Sequence, residues 1–157
     1  MDTIHGEVHK ALSENFKRAF MDLLAERIAR DPPDYEWITR LYQEIKIKLM
    51  RLLRTEHPLR QEIEETMDIQ LFEQMIRHQA FDPHDLYNLV SYVFEKCKQL
   101  GAPARDASVD AKKQELLTHM QSGEATFKTI VPMFIQRAND CLDQIYQDID
   151  QLHSKLK

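Results

Sequence analysis

The stretch DPHDLYNLVSYVFEKCKQLG, residues 82–101, carries a complete set of helix signals. Asp82 can cap a helix start, and Pro83 suits the first helical position, where its missing N–H costs nothing. Leu86, Leu89, Val90, Val93, Phe94, Cys97 and Leu100 then recur at three- and four-residue steps, one apolar face of a helix. Gly101 stands where a helix commonly ends. Nothing in the stretch alternates with the period of two that a strand requires.

The same logic extends in both directions. Upstream, Ile4, Val8, Leu12, Phe16, Phe20, Leu23, Leu24 and Ile28 make one face of a helix reaching about Arg30. Asp31-Pro32-Pro33-Asp34 stops it, because proline disfavours the helical conformation in the residue before it. Asp34 is then expected to cap a helix with Trp37, Leu41, Ile45, Leu49 and Leu52 on one side, ending near Glu56-His57-Pro58. A short helix carries Leu59, Ile63 and Met67, and Asp68 caps another carrying Leu71, Phe72, Met75 and Ile76. Downstream, Pro103 opens a helix that faces Val109, Leu116, Leu117 and Met120 inward, and Gly123 closes it. The last helix carries Phe127, Ile130, Val131, Phe134, Ala138, Cys141, Leu142, Ile145, Ile149 and Leu152, and Pro132 must kink or restart it. The expected fold is all-α, one helical bundle of about six to eight helices spanning residues 1–157.

Composition agrees. The 157 residues are 43% hydrophobic and 30% charged, with 3 Gly and 6 Pro, too apolar for disorder and too poor in glycine for the many turns of a β-sandwich. A net charge of −5 lacks the basic excess that neutralises phosphates, so general nucleic-acid binding is not expected. Cys97 and Cys141 lie within apolar stripes and read as two buried free thiols in a reducing compartment. No apolar leader opens MDTIHGEVHK, and no run approaches the ~20 residues of a membrane span. An intracellular, cytoplasmic protein without a transmembrane segment is expected.

Few residues offer chemistry. His5 and His9 are four apart, yet the glutamate of a zinc-protease motif is missing beside His5. His57, His78, His84, His119 and His153 are scattered at expected helix ends and polar faces. There is no glycine-rich phosphate loop, nucleophile elbow or paired-cysteine motif. Acidic pairs such as Glu64 and Asp68 read as solvated helix face rather than a proton-transfer dyad. The expectation is no catalysis, no metal and no cofactor. Lys46, Lys48, Arg51 and Arg54 interleave with apolar residues in IKIKLMRLLR. That pattern suits either a bundle helix with a charged edge or a helix that binds a membrane surface or an anionic ligand. Asp140, Asp143, Asp148 and Asp150 give the last helix an acidic side.

The middle of the chain resembles the T-complex protein 11 family. The resemblance begins at Pro32-Pro33-Asp34 and at the Ile-Lys of LYQEIKIKLMRLL, and strengthens in LRQEIEETMDIQLFEQMIRHQAFD. There Glu62-Ile63-Glu64-Glu65, Asp68, Leu71, His78, Ala80 and Asp82 fall in the family's pattern. It is sharpest in LGAPARDASV, where Ala102, Pro103, Arg105 and Asp106 match an Ala-Pro-x-Arg-Asp signature. The likeness spans about Leu23 to Asp148. Gly101 departs from it, standing where the family typically has cysteine, and the family's proteins are usually much longer.

The resemblance implies an all-helical, non-catalytic protein, associated in its relatives with cyclic-AMP and protein-kinase-A signalling and, in animals, with sperm function. The residues themselves suggest an interaction module with an unidentified protein partner. The alternative is a membrane-surface or anionic-ligand binder using residues 46–54. Within the signature, Pro103 sets a helix start and Asp106 lies in a first turn, where its charge suits the helix dipole. Arg105 either pairs with an acidic residue of a neighbouring helix or contacts the partner directly.

Overall fold

The computed structural model describes residues 2–122 and 127–156, with side chains over 14–122 and 129–156. Among the described residues there are seven α-helices, one 3-10 turn and no strand. The helices are α1 (Asp2–Ala29), α2 (Tyr35–Met50), α3 (Pro58–Thr66), α4 (Ile69–Arg77), α5 (Pro83–Leu100), α6 (Asp106–Gln121) and α7 (Phe127–Leu156), and the 3-10 turn is Pro103–Arg105. The all-α class expected from sequence is the observed one. The chain divides into two compact units, the first ending at Asp34 and the second beginning at Tyr35.

The first unit is α1 and the stop that follows it. The Arg27 guanidinium donates to the Asp34 carboxylate at 2.9 Å, and the Asp34 N–H donates to the Arg27 carbonyl at 3.1 Å. The Pro-Pro stop is thereby folded back onto the last turn of the helix. The His5–His9 pair has its side chains outside the described residues, and Gly123 lies outside them altogether.

In the second unit α7 is the common neighbour, packing against α2, α5 and α6, while α2 also carries α3 and α4. The core draws on the stripes read from sequence, except that on α2 Ile38 is buried where the reading placed Trp37, which is half-buried: Ile38, Leu41, Ile45 and Leu49; Ile63 and Met67; Phe72 and Ile76; Leu86, Val90, Val93 and Phe94; Leu116; and Phe134, Ala138 and Leu142. Phe94 of α5 meets Phe134 of α7 edge to face at 6.3 Å. Burying such side chains contributes about 1.5–3 kcal/mol each, which is why the apolar spacing dominates the fold. Helix α7 runs through Pro132 without restarting.

The helix ends carry the chemistry their residues offer. Asp68 caps α4 through the Leu71 N–H, and Asp82 and Asp85 form a reciprocal capping box at the start of α5. The imidazole of His57 caps α3 by accepting from the Leu59 N–H at 3.1 Å. Helix α2 ends at Met50, earlier than the stripe through Leu52 suggests. Arg60 of α3 reaches back and donates to the carbonyls of Met50 and Leu53, at 2.8 and 3.0 Å. The Met50 oxygen also accepts the Leu53 N–H at 3.1 Å, so the guanidinium ties down the turn that follows α2.

Candidate functional site

The basic stretch is divided by the structure. Lys46 is buried on α2, its ammonium 3.0 Å from the Glu64 carboxylate of α3. Lys48 points the other way round the helix, donating to Asn139 of α7 at 2.9 Å and standing 3.7 Å from Asp143. Arg51 and Arg54 are exposed and lie beyond the end of α2. The four cations therefore do not form one basic helix face. Two of them are bundle contacts.

Lys96 of α5 mirrors Lys46. It is buried, and its ammonium meets Glu62 of α3 at 2.9 Å while standing 5.2 Å over the Tyr92 ring. The run Glu62-Ile63-Glu64 thus has a defined geometry. Ile63 is fully buried, and the glutamates on either side hold α3 to α5 and to α2. A buried lysine needs such a partner, because an uncompensated charge out of water is costly.

The Ala-Pro-x-Arg-Asp signature forms the corner between α5 and α6. Arg105 lays its fork on Asp148 of α7, with Nε to Oδ2 at 3.2 Å and Nη2 to Oδ1 at 3.0 Å. Gln144 also donates to Asp148, at 2.9 Å. Arg105 and Gln144 together hold the Asp148 carboxyl below its usual range. Arg105 remains 48% exposed, so the corner is pinned at the surface rather than in the core. Asp106 opens α6, with Oδ1 buried and without a hydrogen-bond partner. Gly101 enters the corner extended (φ −92°), so no left-handed conformation is required of it. What requires glycine is space: a Cβ there would stand 2.8 Å from the Cys97 carbonyl oxygen and 3.2 Å from Ile145 of α7.

The concave feature sequence reasoning missed is a cleft of about 170 Å³ between α4 and α5. Its walls are Met67, Leu71, Phe72 and Met75 on one side and Leu89 and Tyr92 on the other, with Tyr42 of α2 and Phe81 at its base. Tyr42 stacks on Phe72 with ring centroids 4.0 Å apart, and Phe72 meets Phe81 edge to face at 5.4 Å. Burial, and secondarily the charge of Asp68, pushes the Tyr42 hydroxyl far up, so it stays protonated and able to donate. Asp68, Asp85, Thr66 and Asn88 supply the polar rim, and among the described residues no lysine, arginine or histidine lines the cleft. Leu71 stands at its mouth, 53% exposed.

The sequence held a partial signal. At 100° per residue the apolar positions of α4 (Ile69, Leu71, Phe72, Met75, Ile76) cover an arc of about 160°, more than one buried stripe needs. Phe72 and Ile76 face the core, which leaves Leu71 for the cleft.

Cys97 and Cys141 are free and buried. Burial pushes the Cys97 thiol up to about 12 and raises Cys141 as well, the opposite of what a nucleophilic thiol needs. Among the described residues, no group of three or more His, Cys, Asp or Glu side chains could hold a metal ion. Among the same residues, no helix is long and apolar enough to cross a membrane.

The model of the family described as T-complex protein 11 matches residues 2–153. The human T-complex protein 11 homolog is 39% identical over 99 residues, covering 62% of this chain and 19% of the relative. The human T-complex protein 11-like X-linked protein 1 is 34% identical over 106 residues, 66% of this chain and 20% of its own length. The rat T-complex protein 11 homolog is 38% identical over 93 residues, 57% and 16% of the two chains. The chain thus spans about a fifth of the length of the curated relatives it matches. No solved structure matches it.

Proposed function

The chain belongs to the T-complex protein 11 family, and from that premise we propose that it is a non-catalytic helical module that binds another protein. The observation that carries the proposal is the cleft between α4 and α5. Its volume of about 170 Å³ falls below the roughly 300–1,000 Å³ of small-molecule and cofactor sites. An apolar base with a polar rim, at a surface where Leu71 is exposed, fits the centre-and-rim anatomy of a protein interface. The titratable groups lining it are two aspartates engaged in helix caps and two tyrosines whose pKa values are raised, an arrangement without a nucleophile–base pair. The signalling setting implied by the resemblance, modulation of cyclic AMP and protein kinase A, belongs to the same proposal and rests on the family alone.

The test is affinity capture from cell extract followed by mass spectrometry, run beside a carrier-only control. A protein enriched by the wild-type chain and confirmed by direct binding of the two purified components supports the reading. Capture indistinguishable from the carrier across independent extracts sinks it.

A further inference from the structure

We propose that the α4–α5 cleft receives one apolar side chain of a partner protein that carries a lysine or arginine beside it in sequence. The inference rests on the interaction reading above and adds the site and the chemistry of the occupant.

Size sets the first constraint. A dry apolar cavity of about 150 Å³ holds one benzene ring, and this cleft measures about 170 Å³. It has room for one leucine-sized or aromatic side chain, not for a helix laid lengthwise. A second void, of about 10 Å³, shares the stacked Tyr42 and Phe72 with the cleft and lies among Ile38, Leu86, Val131 and Phe134. The stack lines both spaces, and the second is too small to take a further side chain.

Charge sets the second constraint. Asp68 accepts the Leu71 N–H at 3.0 Å through Oδ1, and Asp85 accepts the Asp82 N–H at 3.1 Å through Oδ2. Each cap uses one carboxylate oxygen, and both aspartates line the cleft with a second oxygen that the cap does not use. Lys96 stands 5.2 Å over the ring of Tyr92, a residue that lines the cleft, but Glu62 already holds its ammonium at 2.9 Å. A carboxylate or phosphate entering here would meet two negative charges with no cation among the described lining residues, whereas a lysine or arginine beside the anchor is attracted.

The experiment selects a phage-displayed library of random twelve-residue peptides on the intact protein, then measures the recovered peptides as synthetic probes. The expected consensus places an aromatic or aliphatic residue within three positions of lysine or arginine. Asp68→Asn with Asp85→Asn removes the charge and keeps both capping acceptors. That double variant should weaken the probes by about tenfold and flatten their salt dependence. Leu71→Gln, which removes the apolar contact at an exposed position without adding charge, should weaken them at least as much while leaving the melting curve unchanged. A consensus without a basic residue overturns the inference. So do probe affinities unmoved by both variants, no consensus above a carrier-only selection, or a dimer dissociated by Leu71→Gln, which would make a second copy the occupant. A captured protein that binds Leu71→Gln as tightly as wild type would leave the interaction module standing and remove only this site.

Discussion

Lys46 of α2 and Glu64 of α3 stand 3.0 Å apart, and only the lysine is buried: its side chain is 8% exposed, the glutamate's 59%. The pair is asymmetric. Removing the glutamate strands a charge inside, while removing the lysine merely returns a carboxylate to water.

Glu64→Ala should therefore destabilise more than Lys46→Met. The first leaves a buried ammonium with only the Glu64 carbonyl oxygen, at 3.5 Å, and costs about 1–2 kcal/mol. That lowers the melting temperature by roughly 2–8 °C for a chain of this length. The second keeps the aliphatic stem and should be neutral or stabilising. Thermal melts of the two variants decide it, and a Lys46→Met protein that melts below Glu64→Ala contradicts the asymmetry.

Arg105→Ala should have a small effect on melting, because the Arg105–Asp148 pair lies at the surface, where water and salt screen it. A drop above about 4 °C would show a deeper structural role than the exposure allows. The pH dependence has a definite sign. Asp148 titrates below its usual range when folded, so the pair adds stability above the ordinary carboxylate pKa. That stability is lost as pH falls through the lowered folded value. The gap between wild type and Arg105→Ala should accordingly close in acid. NMR titration should also show the Asp148 carboxyl moving up in the variant.

Gly101→Ala should destabilise even though its φ of −92° suits alanine. Replacing glycine usually gains about 0.4–1 kcal/mol by restricting the unfolded chain. Here the new Cβ meets a backbone carbonyl oxygen at 2.8 Å and the Ile145 side chain at 3.2 Å, and overpacking of this kind costs about 1–3 kcal/mol. The clash outweighs the entropy. Denaturant midpoints measure the sum, and a stabilised Gly101→Ala protein would show that α7 yields freely at this point.

Both thiols should resist modification in the native state. Cys97, pushed up to about 12, carries almost no thiolate at pH 8, and both cysteines are buried. An aromatic disulfide reagent should label two thiols promptly in denaturant and essentially none over minutes in buffer. Rapid native labelling would mean that α5 and α7 part readily.

Helix ends and core stripes were legible in the residues because both depend on short-range pattern. Asp68, the Asp82–Asp85 box and the Gly101 terminus sit where local chemistry places them. The glycine ends α5 in an extended conformation, however, because the approach of α7 is the larger constraint there. The expectation that Arg105 pairs with a neighbouring helix was readable, but its partner was one of several acidic residues on the last helix. Only the crossing of α6 and α7 selects Asp148. Lys46 and Lys48 look like one basic run in sequence, yet two positions on a helix differ by about 200° in direction, which sends them to α3 and α7. The cleft was hidden for the same reason. Tyr42, Leu71 and Tyr92 come from three helices, and no spacing within one helix reports the gap between them.

The placement of α7 bears on how the chain folds as it is made. Tyr146 donates to the Lys48 carbonyl across 98 residues, and Lys48 to Asn139 across 91. The apolar side of α2 has to wait, partly uncovered, until the helix that closes it has left the ribosome. At about 5–20 residues per second that wait lasts roughly 5–20 s. Over that interval the early helices hold sticky surface without their final cover, a window in which a nascent chain is open to aggregation or to chaperone capture.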